Sequence, residues 1–389
     1  MSSLLQSRVA ITSFFLLHGV VAGSFVSRIP AISEGLRLEP SALGWALVGN
    51  MLGALLSALT AGFVVDRFGS RRVTRLMGLA LVCFLPAVAL MPGAAFLFAA
   101  LVVHGFIGST LNIAMNTQAT ALEGRYERPI LSSFHALWSL GALVGALAGA
   151  GLAELGFRPF WHFAVVALVW AGLNLGLSRW LLESPPQRGL KPKGSFVWPK
   201  GTLLYLGLLG FCVAISDGSI SSWAGVYLRS LEAPESVAAL GFAVHQAIML
   251  IGRSSGDWLA GRFGAANLIR FGAAFGGVGL AVGVSSHTVE GAFFGIACMG
   301  LGMASTYPLI FAAAARTPGV SPAAAMATAS AFSTTGGLVG PILLGNVAQW
   351  GGVAWSFYVA ALLAAVVSFL AFALGGYKVA QEGRETRAG

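Results

Sequence analysis

Charge is scarce in this chain: Asp, Glu, Lys and Arg together make up 10% of its 389 residues. A soluble domain of that length needs a charged skin, so a water-exposed globule is excluded. Cysteine is scarcer still. Cys83, Cys212 and Cys298 show neither a pairing pattern nor metal-ligand spacing, and each lies in an apolar run. They read as buried, inert thiols, which removes disulfide scaffolds and thiolate metal centres. No GxxxxGK[ST] occurs, so nucleotide-driven work within this chain is excluded. HExxH, CxxC and GxSxG are missing too, and with them any support for hydrolytic or redox catalysis. The expectation is therefore no enzyme, no cofactor and no metal. The formal charge of +9 raises nucleic acid as a partner. However, the basic residues form short clusters between apolar segments rather than a stripe with interleaved aromatics, so nucleic acid is set aside.

What the chain has instead is apolar length. Hydrophobic residues make up 57%, and the mean hydropathy is +0.81. The 52 Gly and 15 Pro fit membrane helices, where small residues let backbones approach closely. A helix needs roughly 20 apolar residues to cross the hydrocarbon core. Twelve such windows can be drawn, at about 9–31, 41–65, 73–92, 95–120, 130–154, 158–181, 202–229, 237–260, 267–286, 291–314, 323–348 and 353–376. The first, from Ile11 to Ile32, has no small-residue cleavage site and reads as a membrane helix rather than a removed signal. With the N-terminus inside, eighteen of the 23 Lys and Arg fall on the cytoplasmic side; Arg28, Arg37, Arg158 and Arg229 lie outside and Arg253 within the eighth span. Positive charge marks the inner face. Both termini are thus expected in the cytoplasm, with the chain threaded many times through an inner membrane.

The longest polar stretch, Glu183 to Lys200, is Pro-rich and basic and reads as a cytoplasmic linker. It separates a six-helix bundle over 1–182 from a second over 201–377, followed by a tail at 378–389. The two bundles repeat one another. An offset of 195 places Arg67-Phe68-Gly69 on Arg262-Phe263-Gly264, Arg75 on Arg270, Gly23-Ser24 on Gly218-Ser219 and Gly105 on Gly300. The same offset places Gly141–Gly145 on Gly336–Gly340 and Gly156 on Gly351. The predicted fold is an all-α polytopic membrane protein with 12 transmembrane helices in two pseudo-symmetric bundles, an architecture many secondary transporters share.

Between the second and third spans stands GFVVDRFGSRR, from Gly62 to Arg72. It resembles the loop motif of the major facilitator superfamily (MFS): a Gly, then Asp-Arg, a Gly and paired basic residues. That resemblance covers the whole chain. It implies a conformational gating role for Gly62, Asp66, Arg67, Gly69, Arg71 and Arg72. The second copy departs from the pattern, with Gly261 at the Asp66 position and Ala266 and Asn267 at the Arg pair. Ser27-Arg28-Ile29-Pro30 and the fifth-span run Ser132–Gly141 are similar to a bacterial branch of YbjJ-like and MosC-type (rhizopine cluster) proteins near the fucose-permease-like group. The Gly-Pro pair that drug antiporters of this superfamily carry in the fifth span is absent, since Ala146 follows Gly145.

Ionisable and polar groups inside spans are costly and therefore candidates for function, against the competing reading of fixed interhelical hydrogen bonds. Asp217, mid-span in the seventh segment, is the foremost candidate for proton coupling, and the helix is open to a local break at Gly218. His18, midway along the first span, is the second candidate for proton coupling, or else a buried structural imidazole. His104 and His245 follow with less weight. Asn112 and Asn116 share a helix face, as do His135 and Trp138, and Trp223 and Tyr227. With His245, Gln246, Tyr307 and Thr334, the candidates for solute binding are Asn112, Asn116, His135, Trp138 and Trp223. Trp223 and Tyr227 also read as interfacial anchors. Arg28 is expected near the outer mouth, where an arginine can snorkel, either to steer an anionic solute or to end its helix before Pro30. Arg253 and Asp257, four apart, suggest an ion pair at an inner gate.

The resulting expectation is a secondary transporter that moves a small polar solute, sugar-, polyol- or amine-like, by alternating access. Its partners are that solute, protons and the lipid bilayer, and a monomer is expected. Uptake by proton symport is preferred. An efflux antiporter, a lipid flippase and a non-transporting receptor remain as rivals.

Overall fold

The computed structural model describes residues 3–126, 130–183 and 198–374, and every regular element among them is helical. The first stretch of chain forms α1 (Ser3–Ser27), α2 (Ile29–Gly35), α3 (Pro40–Phe68), α4 (Ser70–Val88), α5 (Ala94–Glu123), α6 (Leu131–Glu154) and α7 (Pro159–Leu177). Beyond the basic linker come α8 (Thr202–Ser230), α9 (Glu235–Phe263), α10 (Ala265–Ser285), α11 (Val289–Met303), α12 (Thr306–Ala314), α13 (Pro322–Gly351) and α14 (Val353–Leu370). Residues 184–197 of the predicted linker and the predicted tail from 378 onward lie outside the described residues.

Local chemistry sets the breaks. Pro30 lacks an N–H to continue α1, so the chain caps at Arg28 and starts α2 with proline in its first turn. Gly69 and Gly264, related by the repeat, both adopt φ 80°, a conformation that glycine alone enters freely, and each joins one helix directly to the next.

Eleven helical segments among the described residues are long and apolar enough to span a bilayer. The expected span 73–92 corresponds to α4, which falls short because Arg71, Arg72 and Arg75 crowd its first turns. The expected span 291–314 is divided into α11 and α12 around Ala304 and Ser305. In contrast, α8 runs unbroken through Gly218, correcting the expected break there: that glycine sits in open space and nothing displaces the helical hydrogen bonds. Cys83 is exposed, not buried as its apolar run suggested, because α4 turns that position away from its neighbours; Cys212 and Cys298 are buried.

The chain divides into two compact units: Met1–Leu190 with Glu232–Ala243, and Lys191–Leu231 with Val244–Gly389. The head of α9 is thus counted with the first unit. In that unit α1 packs along α6, α3 along α5, and α4 against α5 and α7. In the second, α8 packs along α13 and α14, and α10 against α11 and α14.

Lipid is as apolar as leucine, so helices must associate through close packing rather than through apolar burial. Glycine provides it at matching points of both units. A Cβ at Gly141 would overlap the Leu16 carbonyl oxygen, and one at Gly336 would crowd the Phe211 carbonyl oxygen. Leu16 and Phe211 are themselves 195 apart in sequence. Likewise Gly105 abuts Asn50 and Gly300 abuts His245, again at the same offset.

Candidate functional site

In the first unit, α1, α3, α5 and α6 bring a polar cluster together in an apolar wall. The close approach of α1 and α6 at Gly19 and Gly141 sets His18 beside Trp138. The indole Nε1–H donates to His18 Nδ1 at 3.0 Å, and the ring centroids lie 6.2 Å apart. The free side of the His18 ring faces α5, since a Cβ at Gly108 would sit 3.5 Å from its Nε2. One turn earlier on α5, His104 Nδ1 lies 3.2 Å from Asn50 Oδ1. His104 is buried, with the Phe25 ring 5.6 Å away, and its Nε2 has no partner among the described residues.

At another level of the same unit Arg28 is fully buried, so the expected snorkelling is corrected. Its guanidinium donates to the carbonyls of Gly149 and Phe157, and it faces Glu235 at 3.1 Å. His162 is buried nearby, and neither of its ring nitrogens has a described partner.

The second unit holds the acidic candidate. Asp217 on α8 accepts from or shares a proton with His245 on α9, Oδ1 to Nε2 at 3.0 Å. The imidazole is 2% exposed and the carboxyl side chain 36%. The other imidazole nitrogen, Nδ1, is buried without a described partner, against the small residue Gly300. Arg253 on α9 donates from Nε to the Ala304 carbonyl at 3.3 Å, at the interruption between α11 and α12. A broken helix leaves carbonyls without intrahelical partners, and the guanidinium satisfies one. Arg253 and Tyr307 both lie within electrostatic reach of Asp217.

At the α3–α4 turn, Arg71 pairs with Glu183 at 2.8 Å and donates to the Arg179 carbonyl at 2.7 Å. Ser70 receives a bond from the Gln118 amide, which also holds both backbone groups of Leu182. Arg67 lies over the Phe63 and Phe68 rings, and Arg262, its repeat counterpart, over Trp258 and Phe263. The degenerate second copy thus keeps the cation–aromatic part of the motif and loses the charge pairing.

The profile of the Major Facilitator Superfamily matches residues 11–323 and, a second time, 206–388. The uncharacterized transporter y4wD of Sinorhizobium fredii is 31% identical over 376 residues, covering 95% of this chain and 99% of its own. The chain belongs to the major facilitator superfamily. Membrane protein MosC of Rhizobium meliloti is 28% identical over 344 residues, 87% of this chain and 83% of that one. The crystal structure of a D-xylose-proton symporter superposes with a TM-score of 0.73 at 14% identity, covering 95% and 98% of the two chains. As an MFS member the chain is a multi-pass secondary transporter of a small solute and not an enzyme.

The other expected residues of this MFS chain belong to several helices of the two units. The Asn116 amide donates to both the carbonyl and the side chain of Asn112, so the two polar groups satisfy each other on an exposed face. His135 is exposed, and its ring meets Phe15 edge-on. Trp223 is fully buried, its Nε1 without a partner among the described residues, and Tyr227 donates to the Val284 carbonyl at 3.1 Å, so neither is an interfacial anchor. Tyr307 stacks on Phe311, while Gln246 and Thr334 are partly exposed. Gly62 is exposed with open space around it, and Asp66 makes no bond to a described residue. Arg72 is exposed; the side chain of Asp257 lies outside the described residues. Sequence reasoning passed over Asn50, His162, Gln118 and Glu235. Asn50 carried a signal: the 195-residue offset sets it opposite His245.

Proposed function

We propose that this protein takes up a small polar solute by proton symport through alternating access, with Asp217 and His245 holding the coupled proton. The observation that carries the reading is their 3.0 Å bond in mid-span, with the carboxyl partly open and the imidazole buried. A carboxyl group inside a membrane span is costly and is retained where it serves transport. Paired with an imidazole it can take one proton and change the charge of the pair by one unit. The missing Gly-Pro pair after Gly145 supports uptake over drug antiport. We assign the gating part of the cycle to the turn from Gly62 to Arg72, with Arg253 at the α11–α12 interruption. The distribution of Lys and Arg supports cytoplasmic termini.

The test begins with a thermal-shift screen of sugars, polyols and amines on purified protein, followed by uptake of the best hit into proteoliposomes. An inward proton gradient is expected to accelerate uptake by wild type. Asp217→Asn should abolish that acceleration while solute exchange without a gradient persists. Undiminished proton-driven uptake in Asp217→Asn would remove this residue from coupling.

A further inference from the structure

We propose that His18 and His104 form a hydroxyl-binding subsite in the first unit, a neutral donor–acceptor pair that recognises a hydroxyl of a polyhydroxylated solute. The proposal rests on the transporter reading but not on Asp217 as proton carrier.

Hydrogen-bond direction determines the state of each ring. An indole N–H can only donate. His18 Nδ1, which accepts it at 3.0 Å, therefore holds no proton, and the single N–H of the neutral ring is on Nε2. An amide oxygen can only accept. His104 Nδ1, 3.2 Å from Asn50 Oδ1, is then the protonated nitrogen, and Nε2 is a bare acceptor. That acceptor belongs to a side chain only 7% exposed and has no partner among the described residues. His18 Nε2 faces Gly108, one turn along α5 from His104, and the two rings are in electrostatic reach of each other.

A hydroxyl is the smallest group that accepts one hydrogen bond while donating another. It takes the His18 Nε2–H and gives its own proton to His104 Nε2, relieving the penalty of a buried orphan acceptor. A carboxylate has no proton to offer His104, and an ammonium has no lone pair for His18. The Trp138 and Phe25 rings flank the two imidazoles, with ring centroids 6.2 Å from His18 and 5.6 Å from His104. Protonating His18 at Nδ1 would set two N–H groups against each other, so its part is to bind solute rather than to carry the proton.

Nitrogen NMR on full-length protein labelled at histidine tests this even while the transported solute is unidentified, with resonances assigned through His18→Gln and His104→Gln. The expected result is opposite tautomers, Nε2–H on His18 and Nδ1–H on His104. Titration with D-glucose, D-xylose, xylitol and sorbitol should move the His104 Nε2 resonance for at least one of them. Acetate and methylammonium, which carry no hydroxyl, should leave that resonance in place. His104→Leu should weaken binding of the responsive compound about tenfold, the loss of one buried hydrogen bond. Identical tautomers, or an Nε2 resonance unmoved by every neutral polyol, overturns the proposal. If the subsite holds while Asp217→Asn keeps its proton drive, only the coupling assignment fails. The reverse pattern leaves the symporter standing without this subsite.

Discussion

Arg28 donates to two backbone carbonyls from a fully buried position and keeps Glu235 as its counter-charge. Removing one partner of a buried charge network leaves the others uncompensated, at a cost of about 3 kcal/mol. Arg28→Leu is therefore expected to lower the thermal unfolding midpoint in detergent markedly. Glu235→Gln should cost about 1 kcal/mol or less, because that side chain is 36% exposed and solvent screens it. Equal losses would mean that the ion pair, not the carbonyl bonds, anchors the guanidinium. The arginine itself was legible in the sequence as a span-ending charge. Its burial was not, since Gly149 and Phe157 come from a region more than a hundred residues away.

At the scale of helices, glycine decides what packs. A Cβ at Gly23 would overlap the Ala142 carbonyl oxygen, whereas one at Gly62 meets nothing within 4 Å. Gly23→Ala should therefore force α1 and α6 apart and lose the monodisperse folded protein in size-exclusion chromatography. Gly62→Ala should fold at least as well as wild type and gain up to about 1 kcal/mol of helix propensity. A transport defect in that variant would then report on gating rather than on stability. The glycine-rich character of both helices was plain from the sequence, but which glycines meet a carbonyl was not. These helices are apolar around their whole circumference, so no stripe marks the inward face.

For the whole molecule, the charge asymmetry predicts that green fluorescent protein fused after Gly389 fluoresces and that alkaline phosphatase fused there stays inactive; the opposite pair of results would invert the proposed orientation. Membrane residence, the superfamily and the internal repeat were all readable from the chain, because hydropathy is a sum over neighbours in sequence and a repeat is a comparison of the chain with itself. The pairing of functional groups was another matter. Asp217 meets His245 across 28 residues, Asn50 meets His104 across 54, and His18 meets Trp138 across 120. Each meeting depends on how far one helix is rotated and slid against another. In lipid those two variables are set by close contacts of small residues rather than by apolar patterning, and so only the tertiary structure decided them.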